Sequence, residues 1–200
     1  ISADIEAGYS SSTEGVVKSA REVLNAGAVG INIEDSTGQN ENPLYDKQVM
    51  KDRIGAIREM SQQQGTHLFI NARTDVFLIS TADRKKQIRE TIERANVYVE
   101  AGADGVFVPD FGNLDKEVIH ILVKEIPAPL NIIAGAGKPF ISELERMGVA
   151  RVSFGPRAMR ACLAQIRKIA REIRSQATYT HMMAETISNS EVNDWFKRNQ

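Results

Sequence analysis

The chain alternates short apolar segments, typical of buried β-strands, with longer segments whose apolar residues recur at helical spacing. Strands are predicted at residues 1–6, 28–35, 67–73, 104–110, 129–135 and 150–155. Amphipathic helices are predicted between and after them, for example over 13–26, 84–101 and 157–173. Strand followed by helix, repeated, is typical of right-handed βαβ units, and it predicts an α/β fold with a parallel sheet.

One strand–helix junction recurs within the sequence. The segment NAGAVGINIED (25–35) matches EAGADGVFVPD (100–110), and RMGVARVSFGP (146–156) is a looser third copy. In each copy a predicted helix ends on a glycine and a tight turn leads into a buried strand. Because glycine adopts positive φ without a steric penalty, we expect Gly27, Gly102 and Gly148 to lie just past the helix ends.

Two architectures have this regular spacing, a (β/α)₈ barrel and an open doubly wound sheet. No G-x-G-x-x-G follows the first strand, which argues against a dinucleotide-binding fold. The open sheet accommodates six strands directly, whereas a barrel needs eight strands and roughly 250 residues. If the fold is a barrel, we expect two strand–helix units to be missing, most simply from before Ile1.

Composition excludes several classes of partner. The net charge is −1 and 42% of the residues are hydrophobic, so neither a nucleic-acid partner nor a membrane-surface partner is indicated. No apolar run reaches the length of a membrane span. The chain has one cysteine, Cys162, which excludes an intramolecular disulfide and favours a cytoplasmic location.

Polar residues collect at the carboxyl ends of the first three predicted strands, where α/β folds place their functional groups. Side chains two residues apart in a strand share a face. The residues expected to face inward are Asp4 and Glu6, then Asn32 and Glu34, then Asn71, Arg73 and Asp75. Several inward carboxylates are costly to bury unless they are paired or bound to a cation.

These carboxylates support two interpretations. Asp4, Glu6 and Glu34 are suited to Mg²⁺ or Mn²⁺, because hard cations prefer carboxylate oxygens. Arg73 would then bind a substrate carboxylate or phosphate through its planar fork. Alternatively, Arg73 only neutralises Glu34 and Glu6 within a buried ionic network.

The motifs SADIEAGY, GINIEDS, INARTD, GADGVFVP, PLNIIAG and RVSFGP, in this order over about residues 1–156, resemble the isocitrate lyase/phosphoenolpyruvate mutase superfamily. The resemblance implies a (β/α)₈ barrel over residues 1–176, here represented by its strands three to eight. The last stretch, 177–200, is itself predicted to form two short helices, whose Trp195 and Phe196 need burial against the same chain by default or against another subunit. The resemblance implies a homodimer or homotetramer, since family members commonly exchange their last barrel helix between subunits.

The resemblance further implies a Mg²⁺-dependent enzyme acting on a small-molecule carboxylate, such as a 2-oxo acid, through an enolate-like intermediate. Asp4, Glu6 and Glu34 become the metal ligands, and Arg73 and Glu34 become catalytic. Tyr9, Asn131 and Ser153, together with Arg73, become substrate-binding residues.

The loop 36–48, STGQNENPLYDKQ, departs from the family pattern. It has no Cys, no His and no Lys before Lys47, whereas isocitrate and methylisocitrate lyases carry a Lys-Lys/Arg-Cys-Gly-His motif there. The general acid of those lyases is therefore absent. The leading hypothesis is an oxaloacetate decarboxylase-like carbon–carbon lyase. The alternatives are phosphonopyruvate mutase or hydrolase chemistry at a C–P bond, and a non-catalytic carboxylate-binding homologue.

Overall fold

The computed structural model describes residues 1–110, 112 and 114–197. Its sheet contains six parallel strands that follow one another in chain order. They are β1 (Ser2–Asp4), β2 (Gly30–Glu34), β3 (Phe69–Arg73), β4 (Gly105–Val108), β5 (Leu130–Ile133) and β6 (Arg151–Ser153). A doubly wound sheet reverses its strand order part-way, whereas a barrel adds each strand beside the previous one. The sequential order therefore confirms an α/β fold with six successive units of a (β/α)₈ barrel.

The helices connect these strands and continue after the last of them. They are α1 (Thr13–Asn25), α2 (Lys47–Gln63), α3 (Val76–Ile79), α4 (Arg84–Glu100), α5 (Lys116–Glu125), α6 (Ile141–Arg146), α7 (Arg157–Gln176), α8 (Thr180–Met183) and α9 (Asn189–Trp195). Four of the longer helices begin at a side chain that accepts a backbone N–H of the first turn, as N-caps do. These caps are Ser12, Asp46, Asp83 and Asp115.

The core lies between the sheet and its helices. The alternate residues Ile31 and Ile33 of β2, and Ile70 and Ala72 of β3, are fully buried against α1, α2 and α4. A second cluster joins β4 and β5 to α5 and α6. Because the apolar residues of each strand face the helices, the polar residues between them face the interior of the curved sheet.

The repeated glycines lie where the sequence predicted. Gly27, Gly102 and Gly148 have φ values of 89°, 107° and 92°. At Gly148 a Cβ would also lie 2.9 Å from Cγ1 of Val123. This turn therefore needs glycine for its backbone conformation and for the close approach of α5.

Contacts divide the chain into two compact units, Ile1–Ser153 and the remainder from Phe154. The predicted boundary after residue 176 stays a prediction, and residues 198–200 of the predicted helical segment lie outside the described residues. Within the second unit, Glu172 fixes the corner between α7 and α8. Its carboxylate accepts the Thr178 hydroxyl at 2.6 Å and the N–H groups of Thr180 and His181 at 2.7 and 2.8 Å. In the part of the chain that the structure describes, no helix is long and apolar enough to cross a membrane.

Candidate active site

Arg73, at the end of β3, is held by two carboxylates. Its Nη1 lies 2.9 Å from Oε2 of Glu34, at the end of β2, which the strand register places directly opposite. Its Nε and Nη2, on the other edge of the guanidinium, donate to Oδ1 and Oδ2 of Asp75 at 2.6 and 2.9 Å. We call Arg73, Glu34 and Asp75 the clamp. A pair of Arg73 with Glu34 is what the ionic-network interpretation of the sequence expected, but Asp75, rather than Glu6, is the second partner.

Negative charge crowds this edge of the sheet. The pKa of Glu34 is raised to about 7, mainly by burial and also by the neighbouring charges of Asp75, Asp4 and Glu6, against the opposing effect of Arg73. For Arg73 itself, burial lowers the pKa, but Asp75 and Glu34 outweigh burial and raise it, so the guanidinium stays charged. The clamp therefore carries one positive charge among four nearby carboxyl groups.

Asp4 and Glu6 lie on the exposed rim of the same edge. Strand β1 ends at Asp4, and Glu6 adopts left-handed backbone with φ 49°, so the two side chains do not share a strand face as predicted. The physical reason is a tight turn, in which Asp4 Oδ1 accepts the Glu6 N–H at 3.0 Å. Tyr9, also left-handed with φ 55°, donates its hydroxyl to the Asp4 carbonyl at 3.4 Å and is 67% exposed.

The donor chemistry of this rim suits a hard divalent cation. Mg²⁺ is usually held by one or two carboxylates, with waters and substrate oxygens completing its coordination. A cation at the rim would also stabilise the charged form of Glu34, whose pKa is raised by burial and by its acidic neighbours. Among the described residues no three His, Cys, Asp or Glu side chains are grouped closely enough to hold a metal by themselves. The residues thus fit a Mg²⁺ bound by few protein ligands, and the assignment of Asp4, Glu6 and Glu34 as those ligands stays a prediction.

Asn131 and Ser153 come together deeper in the interior, with each other and with Asn71. Asn131 Oδ1 accepts Nδ2 of Asn71 and Oγ of Ser153, both at 3.1 Å, and its own Nδ2 donates to the carbonyls of Ile132 and Arg151. These bonds use both donors and both lone pairs of the amide, and Asn131 is only 2% exposed. Their predicted contact with substrate stays a prediction.

Asn71 and Asn131 meet across β4 because Gly105 leaves the space open. A Cβ at Gly105 would lie 3.3 Å from Oδ1 of Asn71. Asn71 also donates to Asn32 Oδ1 at 2.8 Å. A line of amides therefore crosses the interior below the clamp and fixes the relative position of β2, β3 and β5.

Two buried charge groups were missed by sequence reasoning. Asp35 is fully buried behind Glu34 and contacts Arg94 and Tyr98 of α4. Asp110, after β4, pairs with Lys138 of the AGAGKP loop at 2.7 Å. An arginine and a tyrosine four residues apart on a helix were the available signal for the first group, since that spacing puts them on one face.

Comparison with known proteins agrees with this architecture. Residues 1–174 match the family described as phosphoenolpyruvate phosphomutase. An uncharacterized protein of Mycobacterium tuberculosis is 38% identical over 155 residues, which are 78% of this chain and 54% of that protein. The 2-methylisocitrate lyase of Salmonella typhimurium is 26% identical over 188 residues, covering 90% of this chain and 61% of the lyase.

A solved structure of a Burkholderia cenocepacia protein, whose assignment as a phosphonomutase is provisional, is 35% identical with a TM-score of 0.78. The match covers 85% of this chain and 68% of the Burkholderia chain. The chain spans between half and two thirds of the length of the two curated relatives described above. The family match covers most of the chain and includes β1 to β6. The chain therefore belongs to the phosphoenolpyruvate phosphomutase family, within the isocitrate lyase/phosphoenolpyruvate mutase superfamily.

Proposed function

We propose that this chain provides the active site of a Mg²⁺-dependent lyase that cleaves a C–C bond in a small 2-oxo or hydroxy acid through an enolate-like intermediate. Oxaloacetate decarboxylation is the simplest version. The observation that carries the proposal is the clamp. A guanidinium is fixed on one edge by Asp75 and lies beside acidic groups that suit a cation.

Arg73 keeps donors available for a substrate. Hydrogen bonds to Asp75 use two of its five N–H groups, on Nε and Nη2, and Nη1 pairs ionically with Glu34 at 2.9 Å, which leaves N–H groups on Nη1 and Nη2 without a hydrogen-bond acceptor among the described residues. Two N–H groups on neighbouring nitrogens match the two oxygens of a carboxylate. Because Asp75 fixes the fork beforehand, little side-chain entropy is lost when the substrate binds.

Asp4, Glu6 and Glu34 are the residues that would hold Mg²⁺, in part through water. A bound Mg²⁺ would supply Lewis-acid polarisation of the substrate oxygens. Phosphonopyruvate hydrolase, which shares the fold at 22% identity and a TM-score of 0.76, has been crystallised with oxalate and Mg²⁺. Oxalate with Mg²⁺ is therefore a suitable probe for this site.

The loop 36–48 favours decarboxylation over aldol-type cleavage. It lacks the Cys, the His and the early Lys that would provide a general acid for cleaving a larger hydroxy acid. Loss of the oxaloacetate carboxylate that lies β to the carbonyl, as CO₂, leaves the enolate of pyruvate without such an acid, and solvent can protonate that enolate afterwards. Arg73 would hold the retained carboxylate while the electron pair moves toward the carbonyl oxygen.

The test is pyruvate release from oxaloacetate by the full-length protein, with Mg²⁺ and after EDTA, against a protein-free blank at the same Mg²⁺ concentration. We expect turnover that EDTA abolishes, and a fall in kcat/KM of at least about tenfold for Arg73→Lys, which keeps the charge but loses the fork. Arg21→Lys, on the exposed surface of α1, is the matched control and should behave as wild type.

Other outcomes separate the alternatives. Turnover that persists without metal, or no turnover of oxaloacetate, would overturn the lyase proposal. Consumption of phosphonopyruvate would favour the mutase or hydrolase reading, which the family match supports. Binding of oxalate with Mg²⁺ and no turnover of any 2-oxo acid would indicate a carboxylate-binding homologue.

We also propose that the full-length protein is a cytoplasmic homodimer or homotetramer. The cytoplasmic location is supported by the single cysteine of the chain, and the assembly by the family resemblance. Light scattering with size-exclusion chromatography tests the assembly, and a monomer at micromolar concentration would contradict it.

A further inference from the structure

A group of buried polar side chains lies directly behind the clamp. We call Asp35, Arg94 and Tyr98 the buried triad. Asp35 is fully buried, and its Oδ2 accepts the Tyr98 hydroxyl at 2.7 Å and Nη1 of Arg94 at 3.2 Å. Arg94 is further fixed by Glu90, one turn earlier on α4, at 2.7 Å. The carboxylate of Asp35 is therefore held on one side by two residues of α4.

The other carboxylate oxygen of Asp35 is bonded to the clamp. Oδ1 accepts the backbone N–H of Asp75 at 2.8 Å, and the backbone N–H of Asp35 donates to the Arg73 carbonyl at 3.2 Å. Asp75 is the residue whose side chain grips the fork of Arg73. The position of Asp35 thus sets the position of Asp75, and Asp75 sets the orientation of the guanidinium.

The same triad also holds the far end of the loop that follows β2. Nη1 of Arg94 donates to the Tyr45 carbonyl at 2.8 Å, and the Tyr45 N–H donates to the Asp35 carbonyl at 2.8 Å. Between these ends the loop closes on itself, with the Thr37 N–H bonded to the Pro43 carbonyl at 2.9 Å. The loop 36–45 therefore begins and ends at the triad.

A second buried arginine joins this loop to the rim of the site. The guanidinium of Arg53, in α2, lies 4.0 Å from the centre of the Tyr45 ring. It donates to the carbonyls of Ala7, Ser10 and Ser11 in the segment that follows Asp4 and Glu6. Arg53 thus joins the ring of Tyr45 to the segment that follows Asp4 and Glu6.

A purely structural role accounts for these contacts less well. A buried ion pair that only stabilised packing could be replaced by apolar side chains at little cost, so its presence is weak evidence for stability. Here Asp35 bonds to main-chain groups at the end of β3, in Arg73 and Asp75, and at the end of the loop, in Tyr45. Among the described helices, its ion pair is with α4 alone, through Arg94. These contacts are those expected of a residue that orients the site.

We propose that Asp35 is a positioning residue, held by Arg94 and Tyr98, which couples the orientation of the Arg73 clamp to the placement of the loop 36–45. The kinetic consequence rests on the proposed function, whereas the coupling itself does not. A disturbance of the triad should therefore loosen the clamp and the loop together, although they are separate in sequence.

The experiment compares Tyr98→Phe with Ser61→Ala by hydrogen exchange and mass spectrometry on the full-length protein. Tyr98→Phe keeps the ring and removes the hydroxyl, which donates to Asp35 at 2.7 Å and accepts from Nη1 of Arg94 at 3.3 Å. Ser61→Ala removes a buried hydroxyl at the opposite end of β3, where Oγ accepts the Leu68 N–H at 2.9 Å. Each variant loses one buried hydroxyl, so the two differ in location more than in kind.

We expect Tyr98→Phe to raise exchange in both 36–46 and 74–79 by about tenfold, and to leave the β5 segment 130–133 unchanged. Ser61→Ala should raise exchange only around 66–70. The affinity for oxalate with Mg²⁺ should fall about tenfold in Tyr98→Phe and stay constant in Ser61→Ala. Where turnover is present, kcat/KM should follow the oxalate affinity.

Arg94→Lys provides a second variant, because it keeps the charge but its single ammonium replaces a guanidinium whose Nε binds Glu90 while its Nη1 donates to Asp35 and Tyr45. It should again affect both segments. Faster exchange in only one of the two segments, in neither, or uniformly across the chain would overturn the coupling. An absence of turnover with both segments loosened would overturn the proposed function and leave the coupling supported.

Discussion

The buried pair Asp110–Lys138 offers the sharpest test of the energetics of this fold. Lys138 Nζ lies 2.7 Å from Asp110 Oδ2 and donates to the Leu114 carbonyl at 2.7 Å, and the two side chains are 4% and 0% exposed. Asp110 Oδ2 also accepts the Gly112 and Leu114 N–H groups, whereas Oδ1 is buried without a partner in the described chain. The carboxylate therefore depends on Lys138 for its charge balance.

Lys138→Met keeps the length of the side chain and removes the ammonium. Breaking a buried pair by removing one partner costs about 3–5 kcal/mol, and we expect the lower end because two backbone N–H groups remain on Asp110. For a chain of this size, about 3 kcal/mol lowers Tm by about 6–12 °C. Adding Asp110→Asn to Lys138→Met should recover part of the loss, since the uncompensated charge is then gone.

The assay is urea denaturation of the full-length protein followed by circular dichroism, with thermal melts alongside. The matched control is Lys51→Met, which breaks a surface pair with Glu100 at 3.5 Å and should cost no more than about 0.5 kcal/mol. A loss for Lys138→Met within about 1 kcal/mol of the control would refute the reasoning. So would a double variant less stable than Lys138→Met alone.

Three further predictions concern other parts of the chain. Hydrogen bonds from the Thr178 hydroxyl, and from N–H groups at the start of α8, lower the pKa of Glu172 to about 2 from an ordinary value of 4.5. The stabilisation is complete above pH 4.5 and is lost as the pH falls through about 2, so exchange at the α7–α8 corner should rise over that range in wild type but not in Glu172→Gln. Glu34→Ala should abolish metal-dependent oxalate binding in calorimetry, and unchanged affinity would remove Glu34 from the metal ligands. Gly148→Ala should lower stability by about 1–3 kcal/mol, more than Gly65→Ala, where φ is 66° but a Cβ meets nothing within 4 Å; equal losses would show that the contact with α5 is unimportant.

Much of the fold was accessible from the sequence because its signals are local. The alternation of Ile31, Asn32, Ile33 and Glu34 fixes which side chains face the helices and which face the interior, and the structure confirms that assignment. The turn glycines follow from the same local reasoning. The prediction that Arg73 and Glu34 lie together needed only parallel neighbouring strands, whose carboxyl ends share one edge.

Local reasoning failed where a residue's conformation depends on a turn. The first strand was expected to reach Glu6, but it ends at Asp4, and the chain then enters left-handed backbone that the alternation of residue types does not indicate. Asn131 shows a different difficulty. Its position on the inner face was predictable, but its amide is saturated by Asn71, Ser153 and two carbonyls, and only the stagger of the strands brings those groups into reach.

The sequence by itself therefore determined the strand and helix segments, the inward polar faces and the acidic edge at which Arg73 lies. These follow from side-chain periodicity and from the conformational range of glycine, which act over a few residues. Strand spacing left the barrel and the open sheet undecided, the family resemblance implied the barrel, and the strand order of the tertiary structure confirmed it. Only the tertiary structure decided the bidentate grip of Asp75 and the enclosure of Asp35. Arg94 and Tyr98 lie 59 and 63 positions from Asp35 in the chain, and they meet it because α4 packs on the sheet directly behind the site.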